Sequence, residues 1–288
     1  MTNTKDIKKR IKSIKSIEKI TAAMKMVATS RLRQFQGYAE KTRPYAEKLQ
    51  EIMFNISSNA ADINNPLFAV RKENISLYIV IGAEGGLAGS YNVNVMNRAM
   101  KSINNRKNEL IKLLPIGKKA VDFFNKKPYE IVTSLSEFGT SPSYASVKNI
   151  VQIVKAMFEN QEIDALYLVY AKFKSAMSQE PVVNKILPME PMGKNIIDVS
   201  KHYVDMIFEP SPETIMKELV PEYLNTLIYH AVMEAMASEY GARMTAMTSA
   251  NRNAEELLDE LSLAYNKARQ AIITNELIDI LNGVNAVK

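Results

Sequence analysis

The chain contains no cysteine, no tryptophan and only two histidines in 288 residues. Without cysteine there can be no disulfide and no thiolate metal site. His202 and His230 lie far apart in the sequence, which argues against a histidine-based metal or catalytic cluster. No apolar run approaches the roughly 20 residues of a membrane-spanning helix, and no secretory signal is visible. We therefore expect no cofactor, no metal and no direct membrane insertion.

Glycine is also scarce, and four of the ten glycines fall in one stretch, I-G-A-E-G-G-L-A-G-S-Y-N, from Ile81 to Asn92. A P-loop needs a Lys followed by Ser or Thr, which this stretch lacks. The dinucleotide fingerprint needs glycines at offsets of two and five, which are also missing, and Glu84 would place a carboxylate where a pyrophosphate lies. The stretch predicts a tight strand-to-helix turn, with a phosphate-binding loop as the alternative.

The net charge of +6 is unevenly distributed. Residues 1–48 hold 13 Lys and Arg against 4 acids, and residues 222–281 hold 4 Lys and Arg against 9 acids. The opposite signs favour pairing of the two ends. The alternatives for the basic end are a membrane-surface segment, a nucleic-acid-binding segment or a transit peptide. Aromatic stacking residues are absent before Phe35, so we expect no nucleic acid partner.

Apolar periodicity predicts a long helix at each end of the chain. The N-terminal stripe consists of Ile7, Ile11, Ile14, Ile17, Ile20, Met24 and Val27, and Pro44 should kink or break this helix. The C-terminal stripe runs from Leu224 and includes Leu257 and Ile272. With Pro221 as an early residue, a helix over 222–281 would be roughly 90 Å long. Periodic runs of this length predict an antiparallel coiled coil.

The middle of the chain alternates strand and helix patterns. Strand-like runs occur at 75–82, 109–116, 129–133, 165–171 and 182–187, and helical patterns at 93–103, 118–124 and 143–160. Such alternation predicts a mostly parallel sheet with helices on its faces, and the last two runs could form a hairpin. The fold class is therefore α/β: a small Rossmann-like domain over 70–190, with coiled-coil helices over 1–60 and 205–288.

Several separate motifs, in order along the chain, resemble the gamma subunit of F-type ATP synthases. They are I-K-S-I-E-K-I-T-A-A-M-K-M-V-A-T-S-R-L-R within 7–33, R-P-Y-A-E at 43–47, F-E-P-S-P at 208–212, A-S-E-Y-G-A-R-M-T-A-M at 237–247 and Y-N-K-A-R-Q-A-I-I-T-N-E-L-I-D-I-L-N-G at 265–283. The glycine stretch resembles the family's S-D-R-G-L-C-G-G-x-N segment. Here Glu84, Gly85 and Ser90 replace the Asp, Arg and Gly of that segment. After the C-terminal motif, Val284 replaces the Ala of the family signature.

The resemblance implies a noncatalytic shaft inside a ring of alpha and beta subunits, which hold the nucleotides. It implies an epsilon subunit and a membrane rotor ring as further partners, and a peripheral position on the cytoplasmic face of a bacterial cell membrane. Residues that match the family's contacts with the ring of alpha and beta subunits are Met24, Arg243, Arg269, Gln270, Thr274 and Glu276. Met206, Phe208 and Glu209 match its contact with the membrane rotor ring.

Other functions remain open at this stage. The altered glycine stretch admits a gamma-like shaft of a paralogous ATPase that couples hydrolysis to non-proton work such as motility. An enzyme using the α/β domain would have only Glu84 and Asp122 as loose acid–base candidates. A coiled-coil adaptor at a membrane surface is the third alternative.

Overall fold

The computed structural model describes residues 4–59, 66–106, 108–136, 143–189, 209 and 211–286. The elements, in chain order, are α1 (Thr4–Asn59), a 3₁₀ turn (Pro66–Phe68), β1 (Ile75–Ile81), α2 (Tyr91–Asn104), β2 (Leu110–Ile116), α3 (Lys118–Phe124), β3 (Glu130–Ile131), α4 (Tyr144–Glu159), β4 (Ala165–Ser175), β5 (Ser178–Leu187) and α5 (Pro212–Ala286). The chain divides into two compact units, the two-helix unit of Met1–Thr29 with Arg243–Lys288, and the sheet unit of Ser30–Ala242.

The sheet unit is built on five strands in the order β3-β2-β1-β4-β5. β1 pairs in parallel with β2 and β4, β2 pairs in parallel with β3, and β5 runs antiparallel to β4. Every β1 residue after Ile75 is buried, as expected for a central strand whose two faces are both covered. The predicted α/β sheet and its terminal hairpin are confirmed.

Helices cover the sheet with stripes of apolar side chains. On one face, β1 and β4 meet α2 and α3 through one cluster of buried residues that includes Tyr78, Val80, Val95, Ala99, Phe124, Tyr167 and Val169. Because side chains alternate along a strand, Leu77, Ile79 and Ile81 point to the opposite face, and all three are buried. α4 has its own buried stripe at Val147, Ile150, Val151, Val154 and Phe158. This core supports everything else in the unit.

The two terminal helices differ from expectation at their prolines. α1 continues through Pro44 without a break. Pro44 is exposed, and Leu49, Met53 and Ile56 beyond it are buried, so tertiary packing holds the helix together where propensity alone would end it. α5 begins at Pro212, ten residues earlier than the predicted 222. Ser211 caps it, because its Oγ accepts a bond from the Thr214 backbone N–H at 3.2 Å.

Within the sheet unit, α1 and α5 pair in antiparallel order. The ring of Phe35 stacks on Tyr240, with centroids 5.5 Å apart and planes 9° from parallel. Three residues later in α1, Tyr38 is close enough to Tyr229, earlier in α5, to help burial raise the pKa of Tyr229. Tyr144 of α4 meets the Tyr229 ring edge-on and donates a hydrogen bond to Glu222. Aromatic contacts therefore fix the antiparallel register of α1 against α5 in this unit.

Within the two-helix unit, the inward positions follow a heptad spacing. Those of α1 that are buried or half-buried include Ile7, Ile11, Ile14, Glu18, Thr21 and Ala28, and those of α5 include Met247, Asn251, Ala254, Leu258, Leu261, Tyr265 and Ala268. Alternating steps of three and four residues are the signature of a coiled coil. The predicted coiled coil is confirmed, but its stripe was partly wrong: Ile17, Ile20, Val27, Leu257 and Ile272 are exposed. A strict 3.5-residue period places Glu18, Thr21 and their neighbours, instead of these residues, at the inward positions of the coiled coil.

One arginine joins the elements at the amino-terminal edge of the sheet. Arg106, just after α2, donates to the hydroxyls of Tyr78 at 3.0 Å and Tyr167 at 2.8 Å, and its guanidinium lies over the Tyr167 ring. Its Nε lies 3.3 Å from Glu109. The Tyr167 hydroxyl in turn donates to Glu73, which also pairs with Lys185 of β5. Burial would raise the pKa of Glu73, but the bonds from Lys185 and Tyr167 outweigh it and lower the pKa.

We predict that Arg106→Met destabilises the chain, because it leaves two tyrosine hydroxyls and a carboxylate without their shared cation. The side chain is 27% exposed, so the loss should be about 1–3 kcal/mol in the free energy of unfolding, below that of a fully buried ion pair. Urea unfolding followed by circular dichroism measures it.

The matched control is Arg98→Met on the exposed face of α2, which should change stability by less than about 0.5 kcal/mol. Equal effects of the two substitutions would show that Arg106 does not hold these elements together.

Candidate functional site

The sequence-predicted contact residues occupy different parts of the structure. Met24, Arg243, Arg269, Gln270, Thr274 and Glu276 belong to the two-helix unit, and Glu209 belongs to the sheet unit. Met24 and Arg243 are half-buried, whereas the four residues from Arg269 to Glu276 are exposed, as is Glu209. Met206 and Phe208 lie outside the described residues. The strongest concentration of exposed candidates is therefore near the end of α5.

The end of α5 is exposed on all sides and is unusually apolar. Every side chain from Arg269 to Ile278 is exposed, and Ile272, Ile273, Leu277 and Ile278 are each between 43% and 56% exposed. At 100° per residue, these four side chains span about 240° of the helix circumference. A helix that packs on a single neighbour needs an apolar stripe only about 100° wide. The apolar surface of this end is therefore wider than packing against one neighbouring helix requires.

The four polar candidates divide into two faces of this helix end. Arg269 and Glu276 are seven residues apart and share one face, while Gln270 and Thr274 lie on a second face about 130° away. The Thr274 hydroxyl donates to the Gln270 backbone carbonyl at 2.9 Å, so it is already used within the helix. Arg269 and Glu276 offer opposite charges about 10 Å apart along that face, and the guanidinium can form paired bonds with a carboxylate.

α1 carries a second exposed apolar surface in the same unit. Ile17, Ile20, Met26 and Val27 are each about half or more exposed. Three of them, Ile17, Ile20 and Val27, belong to the predicted inward stripe, and the heptad spacing turns them outward instead. Sequence reasoning therefore missed them as surface candidates, although a strict 3.5-residue count would have found them. Contiguous apolar surface on a helix indicates contact with a partner.

A polar layer interrupts the apolar interior of the coiled coil. The Thr21 hydroxyl lies 3.0 Å from the Glu18 carbonyl oxygen and 3.2 Å from Asn251 Oδ1. Asn251 also donates to Glu255 at 2.8 Å. A polar pair at an inward position stabilises one alignment of two helices over slipped alternatives. This layer therefore sets which α5 residues stand beside Met24.

The glycine stretch has the geometry of a turn. Leu87 and Gly89 adopt left-handed φ values of 63° and 57°, and the Asn92 side chain accepts a bond from the Ala83 backbone N–H at 2.9 Å. Glu84 accepts a hydrogen bond from the Lys118 backbone N–H at the start of α3, at 3.4 Å. Asp122 lies exposed on α3. Within the described residues, no cluster of His, Asp or Glu could hold a metal ion.

Comparison with known proteins defines the class of protein to which this arrangement belongs. The family model described as ATP synthase matches residues 3–287. The chain is 42% identical to the ATP synthase gamma chain of Brevibacillus brevis over 284 residues, covering 98% of each, and 40% identical to that of Halothermothrix orenii over 290 residues, covering all of both. The chain thus belongs to the ATP synthase gamma chain family.

Solved structures share the fold. A chain of the Euglena gracilis mitochondrial ATP synthase, in an OSCP/F1/c-ring structure, aligns over 99% of this chain and 94% of its own length, with a TM-score of 0.72 at 21% identity. A central stalk/c-ring structure of the Tetrahymena thermophila mitochondrial ATP synthase covers 80% of this chain, with a TM-score of 0.62 at 24% identity. Among the described residues, no helix is apolar enough over a sufficient length to cross a membrane.

We predict that Asn251→Leu stabilises the coiled coil but loosens its alignment. Exchanging a half-buried amide for an apolar side chain should raise the free energy of unfolding by about 1 kcal/mol. Spin labels at Lys15 and Asp259, both exposed in this unit and neither bonded to Asn251, should report one short, narrow distance in the otherwise natural chain and a broader distribution in the variant.

Asn253→Leu provides the control, because Asn253 is exposed on the same helix turn. It should leave the distance distribution unchanged. A single narrow distance in Asn251→Leu, equal to that of the natural chain, would remove the alignment role of the polar layer.

Proposed function

We propose that this chain is the rotating central shaft of a bacterial ATP synthase and has no catalytic site of its own. The exposed, apolar end of α5 carries the proposal. A helix end with apolar side chains over about 240° of its circumference needs a partner that surrounds it, and a ring of alpha and beta subunits has that shape. The family membership supports the same function, and nothing in the relatives favours a paralogue devoted to motility.

Stiffness is the property that such a shaft requires. α5 has 75 residues and α1 has 56, or roughly 110 Å and 85 Å of helix at 1.5 Å per residue. Their pairing through heptad positions and stacked aromatic rings resists bending and sliding better than a single helix would. Torque applied at one end of α5 can therefore reach the sheet unit, through which the helix also passes.

The proposed mechanism is rigid-body contact. The two faces of the α5 end differ, with Arg269 and Glu276 on one and Gln270 and Thr274 on the other. Each catalytic subunit of a surrounding ring would meet a different face at a given angle, so nucleotide binding, chemistry and release would be driven in sequence. The nucleotide chemistry would belong to the ring, because the glycine stretch lacks the Lys and the hydroxyl of a phosphate loop.

The remaining partners follow from the same proposal. Alpha and beta subunits would surround the α5 end, with Met24 and Arg243 as additional contacts. An epsilon subunit and a membrane rotor ring would bind the sheet unit, the ring through the segment of Met206, Phe208 and Glu209. The complex would lie on the cytoplasmic face of the cell membrane, with this chain held peripherally. The two structural neighbours come from assemblies that contain a c-ring, one with the central stalk and one with F1, which supports this arrangement.

The isolated chain should hydrolyse no ATP above the buffer background. We expect this result because the glycine stretch lacks the Lys and hydroxyl of a phosphate loop. A phosphate-release assay on the pure chain measures it, with the reconstituted complex as the positive control. Turnover that copurifies with the chain through several separations would overturn its noncatalytic role.

Arg269→Ala should slow ATP hydrolysis by the assembled complex without affecting the fold. An exposed helix position tolerates alanine well. A charge-assisted bond made at the limiting rotor angle is worth about 1.5–3 kcal/mol, which corresponds to a rate loss of about ten- to a hundredfold. Turnover and single-molecule torque of the complex, together with helicity of the isolated chain, test this.

Lys267→Ala is the matched control, since Lys267 is an exposed cation two residues away on the same helix. It should retain turnover within about twofold. If Arg269→Ala kept the natural turnover and torque, Arg269 would not be a working contact, although the shaft itself would stand.

A further inference from the structure

The tip of the β4–β5 hairpin rests on α5 at a glycine. The hairpin turns at Ala176 and Met177, between Ser175 and Ser178. Gly241 of α5 is buried beneath it. A Cβ added at Gly241 would lie 3.3 Å from the Ala176 Cα and 3.3 Å from Phe173 Cε2, tighter than ordinary contact. The missing side chain is what lets the strand backbone approach the helix so closely.

The hairpin tip is held in shape by its own hydrogen bonds. The Gln179 side-chain amide donates to the carbonyl oxygens of Ser175 at 3.1 Å and Ala176 at 2.9 Å. The Ser178 backbone N–H donates to Ser175 Oγ at 3.1 Å. These bonds occupy the turn's polar groups, so the tip can press a preformed backbone surface against the helix. A preformed contact of this kind behaves as a fixed support.

A second contact joins the same helix to a residue near the end of the glycine stretch. Tyr91, the first residue of α2, is almost fully buried, and its hydroxyl donates to the Ala235 carbonyl oxygen of α5 at 3.1 Å. The left-handed turn at Leu87 and Gly89 and the bond between Ala83 and Asn92 set where α2 begins. The glycine stretch thus places Tyr91 against α5.

A third contact lies at the same position along the α5 axis as the second. Tyr170 of β4 and Glu234 of α5 are both buried, and the Tyr170 hydroxyl donates to the Glu234 carboxylate. Glu234 and Ala235 precede Gly241 by six or seven residues, or about 9–10 Å of helix. Two supports separated along an axis resist rotation and sliding far better than one, since displacement at one is opposed at the other.

We propose that Gly241 and Tyr91 are positioning residues that fix the sheet and its helices to α5 at two heights, so that helix and sheet turn as one body. The proposal rests on the shaft function proposed above. In the assembled motor, torque delivered along α5 would pass through these two contacts to the surfaces of the sheet unit. The glycine stretch, which binds no phosphate, would then serve to place one of them.

Gly241→Val is the first test, with Gly37→Val as its matched control. Gly37 is also helical, but a Cβ built there meets nothing within 4 Å. Both substitutions change helix propensity equally, so a difference between them reports the hairpin contact. Overpacking of this kind typically shifts a local equilibrium by about tenfold or more. The readout is the number of ions pumped per ATP hydrolysed by the complex in sealed vesicles.

We expect Gly241→Val to lower the ion-to-ATP ratio by about twofold or more. The double variant with Tyr91→Phe should lower the ratio further, because both contacts hold the sheet against α5. Gly37→Val should keep the natural ratio. A merely structural role would reduce assembly and hydrolysis together and leave the ratio intact. A natural ratio in Gly241→Val, or an equal loss in Gly37→Val, would overturn the proposal.

Distance measurement covers the case in which Gly241→Val fails to assemble. Met177 is 85% exposed at the hairpin tip and Lys217 is exposed on α5, so spin labels at these two positions leave the contact itself unaltered. The cysteine-free chain allows both labels to be placed specifically. The expected result is one narrow distance, identical with and without turnover, in the full chain and in the complex.

A broad distribution, or a distance that changes with nucleotide, would show that the hairpin leaves the helix and would overturn the fixed support. Failure of the shaft function is distinguishable from this outcome. If the unmodified complex pumped no ions with ATP, the shaft proposal would fall, while the distance between hairpin tip and helix in the full chain would still test the contact.

Discussion

The structure depends on how each stretch of one very long helix is covered. α5 has 75 residues, and a helix in a protein draws most of its stability from packing of an apolar face rather than from propensity, so its segments need apolar partners. From Leu224 to Gly241 it is buried within the sheet unit, and from Met247 to Ala268 its inward positions pack against α1. From Arg269 to Ile278 every side chain is exposed. The described part of the chain therefore covers two segments of the helix and leaves the third exposed, which is the segment that we propose to lie inside the ring.

Opposite charge contributes less to this pairing than apolar contact does. The basic α1 and the acidic end of the chain suggested attraction along their whole length, but Arg252 pairs with Glu256 of its own helix, and both side chains are well exposed. Such exposed pairs contribute little to stability. The inward residues and the Thr21–Asn251 layer decide how α1 and α5 align. The charged residues lie mainly on the outer surfaces of the pair, which they keep hydrated.

Most of the fold could be predicted because its signals are periodic. Buried parallel strands read as continuous apolar runs, and the hairpin of β4 and β5 follows from two such runs joined by a short turn. The error in the α1 stripe has a geometric cause: from Ile14 it followed apolar residues in two steps of three, to Ile17 and Ile20, and each such step falls about 60° short of a full helical turn. The stripe therefore left the inward face, which Glu18 and Thr21 occupy.

The candidate contacts were harder to predict, since they depend on residues distant in sequence. Arg269 and Glu276 could be named only through family resemblance, because an exposed charge on a helix has no distinctive local pattern. Gly241 stood out as the single glycine of a 60-residue stretch, yet its meaning required the position of Ala176, 65 residues earlier. Tyr91 was visible only as the end of a loop that resembled a nucleotide site. Its partner is a backbone carbonyl, which leaves no trace in sequence.

The distribution of strong and weak contacts fits a part that must turn inside its partner. Arg106, Tyr91 and Tyr170 make buried or half-buried hydrogen bonds within the sheet unit, where breaking one would leave a polar group unsatisfied. The exposed end of α5 instead offers separate isoleucines and single charges, each of which can form and lose a contact at modest cost in free energy. If the same end carried a buried ion network, one rotor angle would be stabilised above the others and rotation would stall there. Permanent contacts therefore belong inside the shaft, and individually weak ones belong on the surface that meets the ring.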